Sequence, residues 1–361
     1  MNDIYAIKGL DHLEFYVGNA KQAALVYAKC FGFTMTAYRG LETGDRKVTS
    51  YVLEQGEIRF VLSSALSADY LIAQSVWKHG DTIAIIALEV SDAAIAYKQA
   101  VARGAIGAIP PTDHEDGSGV LRYAAIRACG DVLVKFVDRS HYRGHFAPGF
   151  VARSSAPTQA AGLTRVDHIV GNVEYGAMDR WVDYFVQTMG FDVRMHFDDQ
   201  AISTEYSALM SKVLENGSKT IININEPAPG RRKSQIQEYL DYHNGPGIQH
   251  LGLATDDIVQ TVIYLKQAGV EFLPIPQTYY DSLEDWVKEL DIPVQQLAEL
   301  GILVDRDQDG YLLQLFTKPV GDRPTLFFEV IERHGSRGFG AGNFKSLFVA
   351  LEREQAARGN L

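Results

Sequence analysis

Cysteine is nearly absent from this chain. Cys30 and Cys129 are the only two in 361 residues. They lie far apart and lack CxxC spacing, so the sequence offers neither a disulfide framework nor a cysteine-based zinc motif. Long apolar runs are missing too, and no stretch is long enough to span a bilayer. The opening residues, MNDIYAIKGLDHLEF, have no basic region followed by an apolar one, which predicts no secretory leader. Positive charge is scarce: 34 Lys and Arg against 45 Asp and Glu give a net charge of −11. That balance argues against a general binder of nucleic acid or anionic membrane. What is present is an ordinary globular composition, 46% hydrophobic and 22% charged. The chain is long enough for about two domains with sizeable cores. A reducing cytoplasm is the simplest compartment for it.

Internal repeats organise the sequence. Residues 10–33 and 166–191 each read as a short apolar strand carrying Asp-His, then a helical pattern, then Gly-Phe. Ala24, Tyr27 and Phe31 recur at helical spacing in the first, and Trp181, Tyr184 and Phe185 in the second. Gly32 and Gly190 stand where a C-cap would. Residues 80–105 and 245–270 form a second pair: a strand, a capping residue (Ser91 and Asp256), then a helix ending near Gly. Four similar units of strand, helix and further strands are thus paired into halves. The Gly-, Pro-, Ser- and Ala-rich stretch 140–163 reads as a linker, and the domain boundary is placed near residue 155.

The two halves differ where it matters. His12 aligns with His168, but Ile85 aligns with His250 and Lys135 with Glu329. The C-terminal half therefore has His, His and Glu where the N-terminal half has His, Ile and Lys. Lysine is not an ordinary ligand for a hard metal, so the N-terminal half reads as a copy that kept the scaffold and lost the site. In TLFFEVIER, Glu329 shares a strand face with Phe327 and Ile331, where a carboxylate is costly to bury unpaired. Glu332 and Arg333 fit a solvent-facing side. His168, His250 and Glu329 lie 82 and 79 residues apart, as equivalent strands of repeated units facing one interior would place them. Two imidazoles and one carboxylate suit ferrous iron and leave about three coordination positions open. Zinc, nickel or manganese would also fit on chemistry alone.

Other features surround this trio. Gly252 shares the face of His250 and would leave space before the metal. Gln314 and Phe316 share an inward strand face. Gly338, Gly340 and Gly342 give hinge freedom, with Asn343 as a helix N-cap. Phe344, Leu347, Phe348 and Leu351 then form one apolar stripe, either a core helix or a gate. Asp305, Asp307, Asp309 and Gly310 begin like an EF-hand loop, but the twelfth position is Phe316 rather than Glu. The run is read as a polar turn. His141 and His145 have metal-like spacing but lie in the linker.

At this level of detail the chain resembles the 4-hydroxyphenylpyruvate dioxygenases of the vicinal-oxygen-chelate superfamily. The matching motifs are VDHIVGNV (166–173), NEPAPGRRKSQIQEYL (225–240), GIQHLGL (247–253), LLQLFTKPVGDRPTLFFEVIERHG (312–335) and GFGAGNFKSLF (338–348). The resemblance implies an α+β fold of tandem βαβββ modules in two barrel-like halves, with a C-terminal gating helix. Residues 1–155 would form a structural and oligomerising half without metal, and 156–361 the catalytic half. It implies Fe(II) on His168, His250 and Glu329. Ser211, Asn225, Gln235, Gln249 and Gln314 would form a polar network around the substrate. Phe316 and Phe344 would sandwich its ring, with Val170, Phe339 and Asn343 nearby. In a regular strand Gln249 faces away from His250, which suits a supporting role behind that ligand. Asn223 stands where the family usually has Pro. The implied reaction takes 4-hydroxyphenylpyruvate and O2 to homogentisate and CO2 in tyrosine and phenylalanine catabolism, within a homo-oligomer. Hydroxymandelate synthase, on the same scaffold and substrate, is the nearest rival. An extradiol dioxygenase or a metal-free ligand-binding relative are the others.

Overall fold

In the computed structural model, residues 7–360 are described except 154–158, 198–207, 218–219, 284–286, 288–289 and 291, and the side chains of 208, 344 and 345. Four strand–helix–strand–strand–strand modules follow one another. The first comprises β1 (Ile7–Tyr16), α1 (Ala20–Phe31), β2 (Thr34–Arg39), β3 (Val48–Gln55) and β4 (Ile58–Ala65). After α2 (Leu71–His79) come β5 (Thr82–Val90), α3 (Ala93–Ala102), β6 (Gly107–Asp116), β7 (Gly119–Arg127) and β8 (Leu133–Asp138), then a short β9 (Val151–Ala152). The third module is β10 (Leu163–Asn172), α4 (Met178–Met189), β11 (Asp192–Phe197), β12 (Ala208–Glu215) and β13 (Ile221–Ala228), followed by α5 (Gln235–His243). The fourth is β14 (Gly247–Thr255), α6 (Ile258–Gln267), α7 (Gln277–Asp281), α8 (Val294–Leu300), β15 (Leu303–Arg306), β16 (Tyr311–Phe316) and β17 (Phe327–His334). Helix α9 (Phe344–Ala357) closes the chain.

Two curled mixed sheets result, with strand orders β6-β7-β8-β5-β1-β4-β3-β2-β9 and β11-β12-β13-β10-β14-β17-β16-β15. Read from opposite ends, they are the same sheet apart from β9. The central antiparallel pair is β1 with β5 in one and β10 with β14 in the other. Each pair has a register shift just before the histidine, between Leu10 and His12 and between Val166 and His168. Such a bulge re-aims the side chain that follows it, so both halves turn an imidazole inward by the same device.

The helices form for local reasons. Asn19 accepts from the Gln22 amide to start α1, and Gly32, at φ 74°, ends it. Gly190 ends α4 in the same left-handed conformation, at φ 70°. Two expected caps move by one residue. Asp92 rather than Ser91 caps α3, accepting from Ala94 and Ile95, and Asp257 rather than Asp256 caps α6, accepting from Gln260. In each pair of neighbouring candidates, the carboxylate one residue nearer the helix reaches the free amides. The expected boundary near 155 lies outside the described residues. The stretch after it is tied down, because Gln55 Oε1 accepts from the Ala161, Gly162 and Leu163 amides.

Alternation along β17 joins the halves. Glu329 points into the C-terminal sheet's interior, while Phe328, 0% exposed, packs against Phe31 and Tyr27 of α1, with ring centres 5.1 and 5.9 Å away. The N-terminal half thus backs the strand that presents the carboxylate. Among the described residues no helix is long and apolar enough to cross a membrane.

Candidate metal centre

Three adjacent strands bring His168, His250 and Glu329 together. On β10, β14 and β17, His168 pairs with Gly252 and Gly252 with Glu329. One donor atom from each side chain falls within 4.8 Å of the others. Glu329 Oε2 lies 3.0 Å from His168 Nε2 and 3.8 Å from His250 Nε2. The rings are nearly perpendicular, at 85°. Gly252 is required here for a reason other than free space before a metal. A Cβ there would lie 2.3 Å from His168 Cε1, so the missing side chain makes room for the first ligand's ring.

Both imidazoles are oriented through Nδ1. His168 Nδ1 donates to Asp167 Oδ1 at 2.9 Å, and His250 Nδ1 to Gln249 Oε1 at 3.1 Å. Each Nε2 is thereby left for a ligand role. Asp167 is held in turn by Arg333. Burial alone would raise the Asp167 carboxyl, but hydrogen bonds from His168 and Arg333 hold it well below the usual range. Burial likewise opposes charge on His168, yet Glu329 and Asp167 outweigh it and lift the imidazole to about 9. Burial and the charge of His168 push His250 well below its ordinary value. The metal-free trio thus carries a proton on His168 against the Glu329 carboxylate, and a cation taking all three ligand atoms replaces it. The donor set, its backing and the glycine notch fit a resident divalent metal.

A cavity of about 70 Å³ opens on the trio. Of the sequence-predicted residues, Val170, Ser211, Asn225, Gln235, Gln249, Phe316 and Phe339 line it, with Asn223, Phe327, Leu347, Phe348 and Leu351. Gln314 and Asn343 do not. Gln314 is 1% exposed beneath Gly340, where a Cβ would fall 2.1 Å from its Nε2. Asn343 is not the side-chain cap expected for α9; its Oδ1 accepts from the Tyr279 hydroxyl at 2.7 Å. Phe344 opens α9, and its side chain lies outside the described residues.

Several supporting residues escaped the sequence reading. Arg333, which looked solvent-facing, anchors Asp167 and also donates to the Gly338 carbonyl at 2.6 Å. Glu332 is buried and accepts from the Ile258 amide at 2.7 Å. Asp307, read as part of a polar turn, accepts from Ser336, Arg337 and Gly338 at 2.7–2.8 Å and so braces the glycine hinge. The repeat held a signal for one of these: Asp11-His12 with Arg139 recurs as Asp167-His168 with Arg333.

Known proteins give the same picture. Residues 165–315 match the Glyoxalase/Bleomycin resistance protein/Dioxygenase superfamily, and residues 2–147 the N-terminal domain of hydroxyphenylpyruvate dioxygenase. The chain is 44% identical to the 4-hydroxyphenylpyruvate dioxygenase of Yarrowia lipolytica, over 100% of this chain and 95% of that one. It is 46% identical to the Danio rerio enzyme of the same name, over 97% and 91%. The chain belongs to the 4-hydroxyphenylpyruvate dioxygenase family. Among solved structures, a triple mutant of 4-hydroxymandelate synthase from Streptomyces coelicolor superposes with a TM-score of 0.87 at 31% identity, covering 97% of this chain and 99% of that one. Family membership gives the sheet's His-His-Glu cluster its context as an oxygenase metal centre.

Proposed function

We infer that the chain converts 4-hydroxyphenylpyruvate and O2 to homogentisate and CO2, a step of tyrosine and phenylalanine catabolism. The observation that carries this is the His168–His250–Glu329 cluster on an aromatic-walled cavity, in a chain of this family. Fe(II) is the metal we assign to the three residues. Bound there, it would supply the electrons and open coordination sites that let O2 react with an organic acid at neutral pH.

The rest falls to the chain's own side chains. Phe316, Phe327 and Phe339 line the cavity and offer apolar faces that fix an aromatic ring. Phe327 also stacks on His250, with ring centres 4.7 Å apart, so ring position and ligand position are coupled. Ser211, Asn225, Gln235 and Gln249 give the same cavity its hydrogen-bonding groups, suited to the phenol and the keto acid. Helix α9 contributes Leu347, Phe348 and Leu351 to the wall. It excludes water there, which strengthens polar contacts inside and protects reactive species. Its far end is latched: Arg358 and Asn360 donate to Glu238 of α5 at 2.7 and 3.0 Å. We assign α9 the role of a gate. The N-terminal half serves structure and self-association in a homo-oligomer. The two free thiols, Cys30 and Cys129, suit a cytoplasmic setting.

The 4-hydroxymandelate synthase neighbour favours one rival reading. Its product is an isomer of homogentisate, formed with the same loss of CO2, so gas exchange does not separate them. The test is anaerobic loading with Fe(II), addition of 4-hydroxyphenylpyruvate and O2, and chromatographic identification of the product. Homogentisate, lost in Glu329→Ala, supports the reading. Hydroxymandelate transfers the function to the rival, and absence of oxygen uptake with iron bound removes the substrate assignment.

A further inference from the structure

The N-terminal sheet encloses a cavity of its own, about 230 Å³ against about 70 Å³ at the metal centre. At ~30 Å³ per water it would hold on the order of seven waters, or one organic molecule of about ten non-hydrogen atoms.

Its wall is not the apolar filling expected of a site that has merely been lost. Lys135, the counterpart of Glu329, stands in it with Nζ 4.2 Å from the centre of the Tyr123 ring. Among the described residues no carboxylate lies within ion-pair distance of that ammonium. Glu14 is the one acidic residue on the wall, and the Ser63 hydroxyl bonds it at 2.7 Å. Lys135, Arg39 and Arg139 share the lining, but Arg139 is paired with Asp11 and Arg39 with Asp45 at 3.3 Å, which leaves Lys135 as the wall's cation without an ion-pair partner among the described residues.

The aiming device of the metal centre is also intact here. His12 Nδ1 donates to Asp11 at 2.5 Å, and Arg139 grips Asp11 as Arg333 grips Asp167. The ring is 2% exposed, and its Nε2, the atom equivalent to the ligand atom of His168, has no partner among the described residues. With the proton on Nδ1, Nε2 is an acceptor turned toward a ligand's hydroxyl. His114 Nε2 on the same wall is likewise buried and unpartnered. Phe146 meets His12 edge-on at 5.1 Å, as Phe339 meets His168 at 5.3 Å.

Replacing the carboxylate ligand by an ammonium reverses the charge that the cradle prefers. A metal cation is repelled and an anion is attracted, while Ile85, Val61 and Leu121 supply apolar wall. An occupant that satisfies all of this has a carboxylate for Lys135, a hydroxyl for His12, and an apolar body against that wall. We propose that the N-terminal barrel is a second binding site, separate from the metal centre, for a small hydroxyaryl carboxylate. The inference does not depend on which reaction the C-terminal half performs.

The test is equilibrium dialysis of the metal-loaded, full-length protein under argon with labelled 4-hydroxybenzoate and, in parallel, labelled homogentisate. The first stands for a hydroxyaryl acid of outside origin and the second for the proposed reaction's own product. We expect binding of at least one probe that survives Asn225→Ala in the metal-side cavity. Lys135→Met should weaken that binding about tenfold or more, since a charge-assisted contact is lost. Lys135→Met removes the charge and leaves an unbranched side chain one atom shorter, and a melting curve checks that it folds. Ile85→Phe, which keeps the ammonium but fills the cavity, provides the second variant and should also remove the binding. Binding indifferent to both variants, or no binding of either probe at millimolar concentration, overturns the proposal.

Discussion

Arg333 grips Asp167 through two parallel hydrogen bonds, 2.9 Å from Nε to Oδ2 and 2.8 Å from Nη2 to Oδ1. The pair sits directly behind His168 and fixes its ring and tautomer. Asp167→Asn keeps the shape but loses the charge that holds the Nδ1 proton. We expect metal affinity to fall about ten- to a hundredfold, the usual effect of removing such a partner, measured by competition with a chelator. The mirror change Asp11→Asn should leave metal affinity unaltered. It should instead cost stability, toward the lower end of ~3–5 kcal/mol for a broken buried pair, because Arg139 keeps 19% of its side chain exposed.

Gly252→Ala tests the notch in β14. The new Cβ would lie 2.3 Å from His168 Cε1, and β14 is hydrogen-bonded on both sides, so the imidazole must give way. A displacement of about 1 Å in a catalytic group can cost on the order of a hundredfold in rate. The expected outcome is a folded protein with reduced metal occupancy and at least that loss of turnover, read by metal analysis beside activity. Full occupancy with normal turnover would show that the ring tolerates the contact.

The repeat made the His-His-Glu cluster legible in the sequence. Equivalent strands of equivalent modules face one interior, and His168, His250 and Glu329 stand at positions whose counterparts His12, Ile85 and Lys135 could be read beside them. The four-module fold followed from the same comparison. What was not legible depends on chain path. Arg333 lies near the exposed end of β17, on the face of Glu329, and the neighbouring β10 is what brings Asp167 to it. Gln314 stands behind Gly340 instead of on the cavity wall because the hinge passes over it at φ 74°. Asp307 looked like a turn residue because its partners, Ser336 to Gly338, lie about thirty residues on in a loop without periodicity. Cap positions slipped by one because Ser91-Asp92 and Asp256-Asp257 each offer two adjacent candidates.

The latch on α9 gives a separate prediction. Glu238 is buried with a 5% exposed side chain, whereas Arg358 is 29% exposed. Replacing Arg358 by Met leaves Glu238 with Asn360 as its remaining partner, and loosens the helix without touching the cavity wall. Amides of α9 should then exchange faster with solvent by about tenfold, the factor for ~1.4 kcal/mol, while the sheet's protection stays the same. If α9 gates the site, the KM for substrate shifts with it; unchanged exchange and unchanged KM would make α9 a fixed wall.

The seam between the halves should weaken in mild acid. His79 of α2 donates from Nδ1 to the His243 carbonyl at 2.7 Å, and the two rings stack with centres 4.4 Å apart. His243 Nδ1 donates to the Gly245 carbonyl at 2.9 Å, and its Nε2 accepts from the Thr82 hydroxyl at 3.0 Å, so the ring is held neutral. Burial first, and then the charge of His79, push His243 down to about 4 from the ordinary 6.5. Between these two values the unfolded chain binds a proton that the folded one does not, so stability falls as pH drops from about 6.5 to about 4. At 1.36 kcal/mol per pH unit the group contributes up to about 3 kcal/mol over that window. The depressed carboxyls Asp11 and Asp167 act in a different range: their contribution is lost only below their ordinary value of 3.8. Burial lowers His12 and His250 as well, so the measurement is a difference. Denaturant midpoints of the protein and of His243→Gln, taken at pH 7, 6, 5 and 4.5, should converge as pH falls. Parallel curves across that range would mean that His243 takes up its proton without disturbing the seam.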